Sequence, residues 1–510
     1  MQQTYTKNYL KIYSMQILSM ILGFASMFIV IPYLSTDQTT YGIYAVCISI
    51  TIFLSYADLG FLGVAQKYAA ESYSRNDIKE EISFLGFAHF ILLIVTVIIG
   101  GIFLYLSFHP EYLITDLQPG PQTETASRLL LILAFSTPIV VVQRLAQMIF
   151  GIRLQEYRVQ QLVIAGNTLK IISVFYFFTI TKYDIVGYYL FLQIISAIVA
   201  LGALYLARQK FRYPLRLVIS CFRFSFPIFK RTRSLAFSSL FVTLCWVLYY
   251  ELDSVAIAKL LGADAVAIYV IGLSILSFVR SLLGVLFSPF SARFNHFVGL
   301  GKQTEFRNFY FHVIRLTFPL VVFPLVALTM MSQGVVISWV GNDYVASVEV
   351  VRWLVLCNIL GFVSYPAGLM LVACEKIGKM YFQSILIVII FWGGIGFTIG
   401  NWGVEAFARF KFLAFTINGI VYILFSLRFL EISLKQFVRA VIIPYLPGLI
   451  VMTIALFFVR DSCISGKDKL NLLINGCLIL GGTATGIIIS LITAPEFRQY
   501  VIKILRVIRN

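Results

Sequence analysis

Charge is scarce in this sequence. Only 12% of its 510 residues are Asp, Glu, Lys or Arg, while 60% are hydrophobic; a soluble domain carries about 25% charged residues. A water-soluble fold of this size would lack the polar surface to stay dissolved. Acids are scarcer than bases, 23 against 40, which gives a net charge of +17. In a soluble protein that excess points to nucleic acid. Here the basic residues fall between apolar runs and form no single patch, so membrane topology is expected and a nucleic-acid partner is not. No CxxC is present among the seven cysteines, Cys47, Cys221, Cys245, Cys357, Cys374, Cys463 and Cys477. Neither a disulfide framework nor a structural metal site is expected. Catalytic signatures are missing too: no phosphate-binding glycine loop, zinc motif or catalytic triad stands in the chain. Transport is therefore favoured over an enzymatic role.

Long apolar runs are what the chain has. A membrane span needs roughly 20 of them in a row. The hydropathy pattern predicts fourteen spans, at about 10–33, 41–66, 82–107, 127–150, 161–181, 183–206, 234–258, 264–291, 309–331, 350–373, 380–400, 403–427, 440–459 and 470–493. Lys7 and Lys11 precede the first run as in a signal peptide, but the run is long and lacks a clear cleavage site. It is read as a retained span. The segment 207–233 is the longest connection and is strongly basic, with Arg208, Lys210, Arg212, Arg216, Arg223, Lys230, Arg231 and Arg233. The loops following odd-numbered spans hold only Lys182, Lys259, Arg460, Lys467 and Lys469. The other loops and both tails hold most of the remaining cations, so the positive-inside rule places both termini in the cytoplasm.

An internal repeat accompanies the spans. Tyr44, Val46, Ile48, Ser49, Ile50 and Phe53 match Tyr269, Ile271, Leu273, Ser274, Ile275 and Phe278 at an offset of 225, and the same offset carries spans 1–6 onto spans 7–12. Six is even, so both halves enter the membrane in one orientation, a parallel repeat with a cavity expected between them. The expected organisation is an all-α membrane protein with an N-lobe at 1–206 and a basic linker at 207–233. A C-lobe at 234–427 follows, with two further helices and a basic cytoplasmic tail at 428–510.

Particular stretches carry a family resemblance. They are YGIYAVCISI with the later Asp58-Leu59-Gly60, then Glu251-Leu252-Asp253-Ser254 and AIAKLLGADAVAIYVIG at 256–272. The chain resembles the polysaccharide-biosynthesis branch of the MATE-like multidrug/oligosaccharidyl-lipid/polysaccharide (MOP) exporter superfamily, the Wzx-type flippases. The resemblance implies a two-lobed inner-membrane flippase. Its cargo would be an undecaprenyl-pyrophosphate-linked oligosaccharide, a repeat unit of O-antigen, capsule or exopolysaccharide. The glycan-bearing lipid, membrane lipid and other polysaccharide-assembly proteins would be its partners. No cofactor is expected; coupling to a proton or sodium gradient stays open.

Ionisable residues deep in a bilayer are functional candidates, because they are costly unless they face a cavity or a partner. Lys170 lies about nine residues into span 5, roughly 13 Å at 1.5 Å per residue, with Asn167 one turn earlier. Arg280 in span 8, Arg144 in span 4 and Arg315 in span 9 lie nearer the cytoplasmic ends, where long side chains can also snorkel. Arg409 and Lys411 in span 12 point to nearly opposite faces, and Glu405 is placed to pair with Arg409. Arg128 and Arg352 read as helix-end anchors at matching repeat positions. This basic balance suits an anionic headgroup. Asp58 reads as part of a Gly-capped helix end, and Glu251 and Asp253 as an outer gate or ligand pair. Pro319 and Pro324 in span 9, and Pro366 with Gly368 in span 10, are candidate hinges or static kinks.

Three other readings remain. A drug or metabolite cation antiporter would use the same fold, but span 1 has no Asp or Glu, whereas drug-exporting relatives place a coupling acid there. A membrane glycan polymerase or transferase usually needs a sizeable external loop or an acidic motif; the longest external loop, about 108–126, has neither. A passive scramblase or channel is left open.

Overall fold

In the computed structural model the described residues are 2–153, 155–181, 183–374, 376, 378–460 and 466–499. Lys182, Cys463 and the basic tail from residue 500 onward, all used in the sequence reading, lie outside them. Every regular element among the described residues is helical. The bilayer favours this outcome, since a helix satisfies its own backbone hydrogen bonds without water.

The chain divides into two compact units, Met1–Ala267 and Ile268–Asn510. In the first, α1 (Gln2–Leu34) is followed by α2 (Gln38–Ser49), the short α3 (Ile52–Ser55), α4 (Phe61–Ser74), α5 (Ile78–Phe108), α6 (Pro121–Ile152), α7 (Glu156–Phe175) and α8 (Ile185–Phe211). The basic connection holds α9 (Leu215–Ser220), and α10 (Phe226–Trp246) follows. A long helical run, α11 (Asp253–Gly299), carries the chain into the second unit. That unit contains α12 (Gln303–Met330), α13 (Ser332–Val340), α14 (Ser347–Leu356), α15 (Gly361–Ala373), α16 (Gly378–Trp402), α17 (Glu405–Leu430), α18 (Leu434–Phe437), α19 (Leu446–Val459) and α20 (Lys469–Thr493).

Several of the few acids are spent on starting helices. The carboxylates of Asp37, Asp77, Asp184 and Asp468 accept backbone N–H bonds from Thr40, Glu80, Gly187 and Leu470 at 2.8–3.1 Å. These are N-caps, satisfying donors that the first helical turn leaves unpaired.

The fourteen expected spans are not all recovered as separate long helices. Among the described residues, twelve helices are long and apolar enough to cross a membrane, or thirteen when the bent pair α14–α15 is counted as one span. Expected spans 7 (234–258) and 8 (264–291) meet in the 45-residue run Thr243–Phe287, whose break falls between them. Straight, it would measure about 67 Å at 1.5 Å per residue, but Gly262 breaks it with φ 82° and ψ 179°. Expected span 2 is interrupted between α2 and α4. Leu59 and Gly60 both adopt positive φ, 50° and 79°, so Asp58-Leu59-Gly60 forms a left-handed corner. The sequence reading starts a C-lobe at residue 234. The second unit begins at Ile268, because α10 and the start of α11 pack into the first. Phe61 meets Phe229 and Phe237 at 6.0 and 6.2 Å. Thr115 bonds the carbonyls of Ala258 and Lys259 at 3.1 and 2.6 Å. Thr39 bonds Asp264 at 2.6 Å.

The proline candidates do not break α12, which runs through Pro319 and Pro324. Each proline in a helix leaves the carbonyl four residues earlier without its usual donor. The Tyr445 hydroxyl takes the Arg315 carbonyl freed by Pro319, at 2.8 Å. Thr137 takes the Ala134 carbonyl freed by Pro138, at 2.9 Å. Thr317 approaches the Phe362 carbonyl freed by Pro366, at 3.5 Å. The 46° bend of α14–α15 falls between Leu356 and Gly361, upstream of Pro366. Helices α19 and α20 pack within the second unit through small residues: a Cβ on Gly448 would lie 2.4 Å from the Gly486 carbonyl, and one on Gly486 would lie 2.9 Å from Phe323 of α12. Small residues of this kind let membrane helices approach closely.

Gly60 tests the corner. A Cβ there would lie 2.6 Å from the Ala236 carbonyl, and a left-handed non-glycine residue costs about 1–2 kcal/mol. Gly60→Ala is expected to lower the melting temperature of the purified protein in detergent, whereas Gly101→Ala, with nothing within 4 Å, leaves it near wild type. Equal melting of the two would refute the corner.

Candidate functional site

A cavity of about 440 Å³ opens in the first unit. Helices α4, α6 and α7 line it, together with the corner before α4. Its polar groups are Asp58, Gln66, Arg144, Gln147, Glu156 and Gln160, with Ser55. Asp58 accepts the Leu62 N–H at 3.1 Å, so its carboxylate caps α4 and faces the cavity as well. Arg144 reaches the Ser55 carbonyl at 3.4 Å. Gln66 and Glu156 converge at Gly151, where a Cβ would meet each at 2.8 Å. Only because residue 151 has no side chain do the two polar groups share that space.

The face of α7 that lines the cavity continues past it. Glu156, Gln160 and Val163 are lining residues, and spacings of four and three residues carry the same stripe to Asn167 and Lys170. Lys170 stands about 21 Å along α7 from Glu156, at 1.5 Å per residue. Its Nζ donates to Ser196 Oγ of α8 at 2.8 Å, and Ser196 donates to the Leu192 carbonyl at 2.9 Å. Gly166, one turn before Lys170, lets α8 come this close: a Cβ there would sit 2.7 Å from Val199. Among the described residues no carboxylate pairs with Lys170.

The remaining predicted residues divide by unit and by partner. Arg280 is half-buried on α11 and interacts electrostatically with Tyr365, whose ring stacks on Phe287 at 5.3 Å. Arg315 forms an ion pair with Glu496, which ties α12 to the C-terminal segment. Arg409 pairs with Glu405 at 2.7 Å and lies over Trp402 at 4.6 Å. Lys411 is fully buried between the Tyr269 and Phe391 rings, at 5.8 and 5.5 Å. Arg128 and Arg352 pair with Glu124 and Glu349 in their own first turns. Asp253 is buried and accepts the Ser254 N–H at 2.9 Å; Glu251 ends the π-helical turn Val247–Glu251. Lys170, Asn167, Arg144 and Asp58 thus belong to the cavity or its face.

A matching family stands behind this architecture. The family described as polysaccharide biosynthesis protein matches residues 5–294. The chain belongs to that family. No curated protein sequence matches it significantly. Among solved structures, this polysaccharide biosynthesis protein is similar to the lipid II flippase MurJ in an inward closed conformation, with TM-score 0.67 and 16% identity over 96% of this chain and 99% of that one. It is similar also to an inward-facing multidrug resistance MATE family transporter of the MOP superfamily, with TM-score 0.58 and 14% identity over 81% and 94%. A MATE structure in the bent conformation gives TM-score 0.52 and 15% identity over 83% and 95%. The expected fold class is therefore correct: the family member has the MurJ- and MATE-like membrane fold.

Sequence reasoning missed two features of this polysaccharide biosynthesis protein. Glu156, Gln66 and Gln160 put acid and amide groups in the cavity, where a mainly basic lining is expected; polar residues recurring three or four apart in α6 and α7 are the signal for them. The second is a buried ion pair. Arg153 at the end of α6 donates to both oxygens of Glu81 at 3.0 and 3.3 Å, and to the Ile149 carbonyl at 3.1 Å. Tyr213 donates to Glu81 at 2.8 Å. Rings of Tyr73, Tyr213 and Phe211 enclose the guanidinium at 4.7–5.2 Å. Burial, and then the Glu81 charge, hold the Tyr213 phenol above its ordinary range, so it stays a donor at physiological pH. The network fastens the basic connection to α5 and α6.

Removing one partner of such a pair leaves an uncompensated buried charge and costs about 3–5 kcal/mol. Arg153→Met is expected to reduce thermal stability strongly, and adding Glu81→Gln to recover much of it. A double variant no more stable than Arg153→Met would rule out the pair as the source.

Proposed function

We propose that this protein is a flippase that moves an undecaprenyl-pyrophosphate-linked oligosaccharide across the inner membrane, from the cytoplasmic to the periplasmic leaflet. Supporting the reading most directly is a hydrophilic cavity sunk into an otherwise apolar membrane unit, in a chain of a polysaccharide-biosynthesis family. A glycan headgroup cannot cross hydrocarbon unaided, because each buried polar group without a partner costs several kcal/mol. Amides and carboxylates suit sugar hydroxyls. Lys170, farther along the same face, supplies a cation that no carboxylate among the described residues pairs with, and it serves the pyrophosphate; Arg280, in the second unit, is the other cation assigned to that role. Both termini are cytoplasmic in this reading. A solved structure of similar fold is named a lipid II flippase, and the cargo proposed here is an O-antigen, capsule or exopolysaccharide unit. The process is transport, with no bond made or broken.

Complementation of a flippase-deficient strain tests the roles. Lys170→Ala and Arg280→Ala are expected to lower surface polysaccharide by roughly ten- to a hundredfold, matching loss of a charge-assisted hydrogen bond worth about 1.5–3 kcal/mol. Lys170→Arg should keep part of the activity, since the charge remains. Membrane levels are measured in parallel, and the lipid-linked intermediate that accumulates in the null strain identifies the cargo. Normal export by both alanine variants would remove these cations from the mechanism.

A further inference from the structure

Residues 207–233, from the last turn of α8 through the start of α10, carry eight cations and no acid. They do not form a loose loop. Val218 is fully buried and Tyr213 nearly so. Gly86 of α5 admits the Cys221 carbonyl so closely that a Cβ would lie 2.5 Å from it. Phe222 stacks on His89 at 6.0 Å. One side of α9 is therefore docked on α5 and the other is presented outward. The exposed side chains of α9 and its flanks are both apolar and basic: Leu217, Ile219, Phe224 and Phe226 are 53–65% exposed, and Arg212, Arg216, Arg223 and Lys230 are exposed among them. Arg231 pairs with Glu80 at 3.0 Å. The other four meet no carboxylate among the described residues.

We infer that this segment is a docking surface for anionic phospholipid headgroups. It follows directly on the end of the membrane span Ile185–Phe211, so it lies at headgroup level. Exposed leucine, isoleucine and phenylalanine are unfavourable in water but suit the acyl boundary, as in interfacial amphipathic segments. Cations with no acidic partner match the phosphates above that boundary. The surface binds lipid whatever the transported cargo is, and it holds the linker level with the leaflet.

Full-length protein in nanodiscs of phosphatidylcholine and phosphatidylglycerol tests this, with the lipids retained after transfer to neutral detergent quantified by mass spectrometry. Wild type is expected to retain phosphatidylglycerol several-fold above its bulk share, and to lose that excess in high salt. The variant Arg212→Gln/Arg216→Gln/Arg223→Gln/Lys230→Gln should fall to the bulk share. The equally discharged variant Arg293→Gln/Lys302→Gln/Arg428→Gln/Lys435→Gln should keep the excess. Enrichment surviving in the linker variant, or lost equally in both, overturns the inference. If the fourfold linker variant does not fold, Arg216→Gln/Arg223→Gln is read in the same way, with Tyr213 and Arg231 left intact.

Discussion

Hydrocarbon offers no hydrogen bonds, and the rest of this structure depends on that. Every backbone or side-chain polar group placed at membrane depth needs a partner within the chain. The prolines make the consequence visible. Pro319 deprives the Arg315 carbonyl of its donor, and a tyrosine from a segment 130 residues later supplies one. Pro138 does the same to Ala134, and Thr137 answers from within the same turn. Prolines that would break a soluble helix are thereby built into continuous spans.

The same constraint sorts the cations. Arg315, Arg409, Arg128 and Arg352 each have a carboxylate partner, and Lys411 lies among aromatic faces. These arrangements make a charge tolerable where it stands. Lys170 is different: its neighbour is a neutral hydroxyl, and its helix face leads to a polar cavity. A neutral partner satisfies one donor and leaves the charge uncompensated, the condition for attracting an anion. Arg144 stands between these cases, since Asp58 and Glu156 line the same cavity.

Much of this was legible in the sequence. Apolar runs of span length located nearly every membrane helix, since hydropathy and length are the quantities the bilayer selects. The i, i+4 spacing of Glu405 and Arg409 foretold their pair. Lys170 stood out because a cation in the middle of an apolar run has few bland explanations. The helix end at Asp58-Leu59-Gly60 was legible from its glycine, but the left-handed turn at Leu59 was hidden, because the run from 41 to 66 is apolar almost throughout and contains no proline. The unit boundary at Ile268 was hidden for another reason: α11 joins the first unit through a glycine contact, Gly42 against Ala263, and small-residue contacts leave no trace in periodicity. Arg153 and Glu81 are 72 residues apart, so no local pattern joined them.

The central claim is that a polar cavity in this fold carries a lipid-linked glycan between leaflets. Proteoliposomes loaded with a fluorescent undecaprenyl-pyrophosphate sugar test it most directly, with the label reaching the outer leaflet followed by a membrane-impermeant quencher. The account predicts movement well above that in protein-free liposomes, and slowed by Lys170→Ala. Movement no faster than in empty liposomes, alongside export of cationic dyes by the same preparation, would contradict it.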